Sequence, residues 1–311
     1  MTTPYFSVLM LTYNSSWDKT RRTLYSIIIQ KNVDFELVVA DDGSKENNFE
    51  QIKKYLSLFG FTNYYLVDNK HNQGTVKNFI SGMVHCHGKY IKPISPGDYL
   101  YDNDTLHKTY DCISNKSSAV YFERACYYSV GNGHPTFYES LANPRDVRPY
   151  LKHDYEKIKR NYLAYSDLIL GASVFYNTEI LRDYLYKVSD CIKYAEDNVI
   201  IYMLAKGEKV AYLPEVEYGV WYEYMSGISM GADSVWLGRV AKDRKNVVSL
   251  LYNERDISVW MYKLNTSTNW LLRQLIKLIH VPSVFLWRYS KIKGYDKSDP
   301  NMEYLKRLLD V

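Results

Sequence analysis

Apolar and polar positions alternate in blocks along the first hundred residues. Phe6-Ser7-Val8-Leu9-Met10-Leu11 is a short apolar run ending at Thr12-Tyr13-Asn14, as a buried strand followed by a turn would. Leu24, Ile27 and Ile28 then recur at the i, i+3, i+4 spacing of one helix face. Phe35 to Ala40 reads as a second strand that stops abruptly at Asp41-Asp42-Gly43-Ser44. Phe49, Ile52, Tyr55, Leu56 and Phe59 mark a second amphipathic helix, and Tyr64 to Val67 a third strand. Gly74 opens a third helix with Val76, Phe79, Ile80 and Met83 on one face, and Tyr90 to Ile94 is a fourth strand. This alternation predicts a parallel sheet of right-handed βαβ units. Ligands of such sheets bind beyond the carboxyl ends of the strands, which is where Asp41, Asp42 and, past the Pro96-Gly97 turn, Asp98 fall. A helix is predicted directly after Asp98, capped by Asn103 or Asp104.

Beyond Leu106 the pattern loosens. Ser118 to Tyr128 reads as one longer strand, Gly131 to Tyr150 as a loop, and Leu168 to Phe175 as strand-like. Asn198 to Gly207 is a predicted helix entered through Tyr194-Ala195-Glu196-Asp197. Lys209 to Tyr224 alternates as a strand broken by Ser226-Gly227-Ile228-Ser229, and helical patterns dominate from Ala232.

Composition adds exclusions. A net charge of +4 is too small for a nucleic-acid-binding domain. Cys86, Cys112, Cys126 and Cys191 form no C-x-x-C pair, which argues against a disulfide scaffold or zinc site and fits a reducing compartment. The start of the chain leads straight into a strand, so no signal peptide is expected, and no segment reaches the roughly 20 apolar residues that span a bilayer.

Several segments match a known pattern in order and spacing. Val8 to Asn14, Val38 to Ser44, Asn72-Gln73-Gly74 with Lys77-Asn78, and Gly88 to Leu100 resemble family 2 glycosyltransferases, specifically over residues 5 to 106 and in patches to about 230. The resemblance implies an α/β GT-A fold, with a Rossmann-like nucleotide-binding sheet, helices on both faces, and a mostly helical C-terminal extension. It divides the chain into a GT-A domain at 1–230, with a nucleotide-sugar half at 1–106 and an acceptor half at 107–230, and a helical region at 231–311. It further implies inverting transfer from a nucleotide-diphosphate sugar, with a UDP-sugar the expected donor, assisted by Mn²⁺ or Mg²⁺. The acceptor is expected to be a glycan or lipid-linked glycan in bacterial surface polysaccharide synthesis, reached from the cytoplasm or the inner face of the cell membrane.

Carried over by position, Tyr13, flanked by Thr12 and Asn14, resembles the residue that packs on the nucleobase. Asp42, beside Asp41, resembles the one that hydrogen-bonds it, and Lys77 a basic position near the base or diphosphate. Asp98 resembles the last carboxylate of D-x-D-D, which binds the metal; Ser95 and Gly97 stand where the first two are usual. Diphosphate and water can supply most ligands of such a metal, so one protein carboxylate can suffice. Glu196-Asp197 resembles the pair whose Asp is the catalytic base, and its predicted helix N-terminus would favour the ionised form. Tyr222-Glu223-Tyr224 through Ser229 falls where a segment near the diphosphate is usual, with Tyr224 in place of a histidine.

Each of these residues also has an ordinary reading. Asp-Gly is a turn signal, Asp98 can be a turn or cap residue, Lys77 a solvated helix lysine, and Glu196 and Asp197 helix-start acids. His85 and His87 point to different helix faces, so metal binding there is not expected. In the segment 269–293, leucines, isoleucines and Trp270 crowd together with Arg273, Lys277, Arg288, Lys291 and Lys293, which suits an anionic membrane surface or a helix packed on protein. Two rivals remain: a sugar-nucleotide pyrophosphorylase, for which Thr12 to Ser15 offers no Gly-rich phosphate loop, and a non-catalytic nucleotide-sugar or glycan-binding protein.

Overall fold

Strands with apolar side chains at both odd and even positions need cover on two faces. The computed structural model, which describes residues 3–131, 134–224, 234–287 and 292–311, shows how the chain supplies it. β1 (Phe6–Thr12), α1 (Trp17–Ile28), β2 (Phe35–Asp41), α2 (Phe49–Leu58), β3 (Tyr64–Asp68), α3 (Thr75–Met83) and β4 (Tyr90–Ile94) follow in the predicted order. β1 runs parallel to β2 and β4, and β2 to β3. Phe6, Val8 and Met10 join the core made with α1 and α2, while Leu9 and Leu11 join that of α3. Thr12 lies opposite Asp41 and Asp41 opposite Asp68, so the carboxyl ends of these strands form one edge.

The next elements are β5 (Tyr99–Leu100), α4 (Thr105–Ile113), β6 (Val120–Phe122), β7 (Ala125–Gly131), β8 (His134–Phe137), α5 (Arg148–Leu151), α6 (Tyr155–Arg160) and β9 (Val174–Asn177). They are followed by α7 (Thr178–Val188), α8 (Val199–Ala205), β10 (Val210–Tyr212) and β11 (Val220–Glu223). The main sheet has seven strands in the order β10-β6-β9-β4-β1-β2-β3, and a second sheet has the order β5-β11-β7-β8. β9 is antiparallel to both β4 and β6.

Four sequence readings need correction here. Asp98 leads first into β5, because Tyr99 and Leu100 pair with Trp221 and Val220, and the helix expected with its cap at Asp104 follows at Thr105. Ser118 to Tyr128 is not one strand: it leaves the main sheet at Glu123 and Arg124 and enters the second as β7. Lys209 to Tyr224 divides in the same way, β10 pairing with β6 and β11 with β7, both parallel. The loop read between Gly131 and Tyr150 contains β8 and α5. In each case pairing with a distant segment, absent from local periodicity, sets the break.

The last helices are α9 (Ser234–Asn253), α10 (Val259–Thr266), α11 (Trp270–His280), α12 (Val284–Trp287) and α13 (Met302–Leu309). Val247, Val248 and Leu251 of α9 pack in the core shared by α3, α7 and α8. Leu305 and Leu308 of α13 cover Tyr99, Tyr101 and Trp221 of the second sheet. Ser226 to Ser229, the boundary at 230, and Arg288 and Lys291 lie outside the described residues. Among the described residues no helix is long and apolar enough to cross a membrane.

Candidate active site

The first turn of the site is held by Asp41. Its carboxylate accepts from the Thr12 hydroxyl at 2.8 Å and from the amide and hydroxyl of Ser44, both at 2.7 Å. Asn14, in left-handed backbone (φ 47°), donates its amide to Ser44 Oγ and accepts from Lys45 N through Oδ1. The two loops therefore lock together, and Tyr13 between them is left 45% exposed at the sheet edge. Asp42 is buried, and its two oxygens accept the amides of Gln73 at 2.8 Å and Gly74 at 3.0 Å. Burial raises its carboxyl above the ordinary range, and those two amides push it back down. Asp42 thus anchors the loop that starts α3. Lys77 is exposed in the first turn of α3, while neighbouring Asn78 is buried and donates to the Ala40 carbonyl at 3.0 Å.

The turn from Ser95 to Asp98 is braced by α1. Thr23 Oγ1 accepts from Gly97 N at 3.0 Å and donates to the Asp98 carbonyl at 2.9 Å, and Asp98 N donates to the Ser95 carbonyl. Gly97 has φ of 106°, a backbone that L side chains rarely adopt, so the turn itself excludes the carboxylate expected there. Ser95 is exposed, and Lys19 fills the space over Gly97, where an added Cβ would lie 3.4 Å from Lys19 Cδ. The Lys19 ammonium is 3.2 Å from Glu223 Oε2 at the end of β11. Burial pushes the Asp98 carboxyl up to about 7; Lys92 and Lys19 pull it back, and Glu223 adds to the rise. Lys92 is fully buried below, its ammonium donating to the Ala172 carbonyl and lying 4.7 Å from the Phe175 ring centre.

Among the described residues no three His, Cys, Asp or Glu gather to hold a metal. A metal of the Mg²⁺ type bound mainly by diphosphate and water needs only one or two carboxylates. Asp98, part-exposed at the sheet edge and raised despite two lysines nearby, offers one such under-compensated oxygen donor. The donor set fits a metal that arrives with a diphosphate.

Glu196 and Asp197 lie in a 3-10 turn (Glu196–Asn198) that precedes α8. Burial raises both carboxyls, and each has further neighbours: Asp197 adds to the rise in Glu196, whereas Arg244 and the amide of Asn198 act to lower Asp197. The amides at this helix start favour the ionised form of Asp197, as expected, while burial acts in the opposite direction. Both side chains face Gly171: an added Cβ there would lie 3.8 Å from Asp197 Oδ2 and 3.9 Å from Glu196 Oε1. The loop before the pair is tied to α9, whose Asp243 Oδ2 accepts the amides of Lys193 at 3.0 Å, Tyr194 at 2.6 Å and Ala195 at 3.1 Å. Lys193 in turn accepts Val76 N through its carbonyl, at 3.2 Å, and packs on Gly74. A chain of contacts so joins Asp42, the start of α3, the acid pair and α9.

Sequence reading missed Lys19, Lys92, Gly171, Asp243 and Arg244. Lys19 and Asp243 occur on helices as ordinary charged residues, and no local spacing distinguishes them. Glu223 was placed near the diphosphate only through its segment, and the structure brings it beside Lys19. His85 and His87 lie beyond the end of α3 at Met83 and not on a helix as read; His85 stacks on Tyr65, and His87 Nδ1 lies 3.1 Å from Glu36.

Comparison with known proteins supplies the family. Among solved structures, S. aureus TarS 1–349 is similar at 19% identity and a TM-score of 0.54, over 89% of this chain and 73% of that one. TarS 1–349 in complex with UDP-GlcNAc gives 19% identity and a TM-score of 0.56, over 88% and 73% of the two chains. Its complex with UDP gives 15% and 0.54, over 91% and 77%. These likenesses bear on the fold, which is the GT-A α/β fold. No curated protein matches the chain. The family model described as glycosyl transferase family 2 matches residues 7–185, more than half of the sequence, and the chain belongs to that family.

Proposed function

We propose that this protein transfers a sugar, with inversion, from a UDP-sugar to a glycan or lipid-linked glycan in the synthesis of a surface polysaccharide or glycoconjugate. The observation that carries the reading is the placement of Tyr13, Asp42 and Asp98 along one sheet edge, with Glu196 and Asp197 connected to that edge through Lys193. UDP and UDP-GlcNAc in the similar TarS structures support the choice of donor. In this reading residues 1–106 take the nucleotide sugar, 107–230 face the acceptor, and 231–311 contribute α9 as a brace.

The base is Asp197. It takes the proton of an acceptor hydroxyl as that oxygen attacks the anomeric carbon, and the bond from that carbon to the diphosphate oxygen breaks on the opposite side. Arg244 lowers the Asp197 carboxyl toward the ionised form a base needs. Tyr13 packs on the nucleobase, with Thr12 and Asn14 shaping its loop and Asp41 and Asp42 fixing the loops around it. Lys19, near Asp98, and Lys77, at the start of α3, add positive charge on the donor side. A divalent metal, Mn²⁺ or Mg²⁺, held on the protein side by Asp98, would neutralise charge on the departing diphosphate. Ser95 and Gly97 favour the rival in which the chain binds nucleotide sugar without turning it over.

One experiment separates these readings: UDP-sugar hydrolysis with Mn²⁺, beside calorimetric titration of UDP and GDP, on wild type and Asp197→Asn. Hydrolysis lost in the variant with UDP binding retained supports the transferase. Binding without hydrolysis in wild type supports the rival, and no nucleotide binding at all overturns both.

A further inference from the structure

Helix α11 is amphipathic in two senses. At 100° per residue, Leu271, Leu275 and Leu278 share one face, Leu272, Ile276 and Ile279 the adjoining one, and Arg273 and Lys277 a third side. Ile276 is buried with Ala164, Leu264, Val281 and Val284, so the helix is docked on the body of the protein. Among the described residues nothing covers its second apolar face. Leu271 is 69% exposed, Leu278 61% and Ile279 63%, with Trp270 66% exposed at the helix start. Leu271, Leu275 and Leu278 line, with Phe285, an open apolar groove of about 460 Å³.

Charge decides what suits this face. Between Ile257 and Tyr295 the sequence has six Lys and Arg and no Asp or Glu, whereas the rest of the chain carries slightly more acid than base. A second copy placed face to face would set one acid-free segment against another, a like-charge contact that disfavours pairing. An anionic lipid surface is complementary in both respects, taking up leucine and tryptophan side chains at the acyl boundary and basic groups at the headgroups.

We infer that the outer face of α11 docks this protein on an anionic membrane surface, with Trp270, Leu271, Leu275 and Leu278 inserted and the positive charge of Arg273 and Lys277, turned away from the leucines, adding attraction across the width of the helix. The contact goes beyond the transferase reading and stands without it, since it is measured in the absence of any donor. The full chain is sedimented with vesicles of phosphatidylcholine alone and of phosphatidylcholine and phosphatidylglycerol in equal parts, at low and physiological salt. Binding to the anionic vesicles, weakened by salt, is expected. Leu271→Ser with Leu275→Ser and Leu278→Ser should reduce it at least about tenfold. Arg273→Gln should reduce it about fivefold. Circular dichroism and unchanged thermal melts show that the variants are folded. The inference is overturned by absence of binding to anionic vesicles, by equal binding to both vesicle types, or by binding indifferent to the leucine substitutions. It is equally overturned if analytical ultracentrifugation finds a dimer that the leucine substitutions dissociate, since a second copy would then cover the face.

Discussion

Two acidic pairs sit at turns of this molecule, and their surroundings differ. Asp41 and Asp42 accept hydrogen bonds of 2.7 to 3.0 Å from Thr12, Ser44, Gln73 and Gly74, and so fix the loops that carry Tyr13 and begin α3. Glu196 and Asp197 face the bare backbone of Gly171, and burial raises both carboxyls. Burial raises Asp42 as well, so the contrast lies in the contacts: both of its oxygens are taken by backbone amides, whereas Glu196 and Asp197 border the side-chain-free Gly171. Asp98 stands between these cases, with Lys19 and Lys92 compensating it in part.

The sharpest way to break this contrast is to neutralise one member of each pair. Asp197→Asn should lower turnover about thousandfold while leaving UDP affinity unchanged, measured by product formation and by calorimetry. Equal losses of turnover and nucleotide affinity would show the second pair to be scaffold as well. Asp98→Ala should weaken UDP binding roughly tenfold to hundredfold in Mn²⁺ and much less in its absence. A loss independent of metal would assign the binding charge to Lys19 instead.

Smaller effects sharpen the scaffold side. Asp42→Ala strands the buried Gly74 amide and the part-buried Gln73 amide and should cost about 1–3 kcal/mol, seen as a lowered Tm in the ligand-free protein. Asp243→Ala should cost a similar amount by releasing the three amides of residues 193–195, and it should also lower kcat, because the acid pair follows directly.

The pH dependence carries two opposite signs. Turnover should rise with pH through about 6, where burial places Asp197, because the base works ionised. Stability of the ligand-free protein should fall as pH rises from about 4 to about 8. Glu196 and Asp98 have folded values of about 8 and about 7, above their unfolded ones, so the native state holds more protons and loses that advantage as they ionise. Glu196→Gln should flatten that fall in a series of thermal melts. Gly97→Asp, which restores a familiar carboxylate to the sequence, should likewise cost about 1–3 kcal/mol through its positive φ and leave metal-dependent UDP binding no stronger.

The contrast between the pairs was not legible in the chain. Asp41-Asp42 and Glu196-Asp197 both read as acids at an element end, and the resemblance alone set them apart. Glu36, Asp243 and Arg244 show why: their partners lie 51, 50 and 81 residues away, and no spacing rule spans such distances. Gly97 is the reverse case, a departure visible in the sequence whose cause, the left-handed turn braced by Thr23, is visible only in the fold.

By itself the sequence determined the first four strands, the helices between them and the edge where their acids fall, because side chains that alternate in a βαβ unit report burial locally. It also determined the family, through motifs read in order. Only the tertiary structure decided that the later strands divide between two sheets, that α9 braces the acid pair, and that α13 returns to cover the second sheet. Those outcomes depend on which distant segment pairs or packs with which, and that choice is made by the summed free energy of the assembled core rather than by any local pattern.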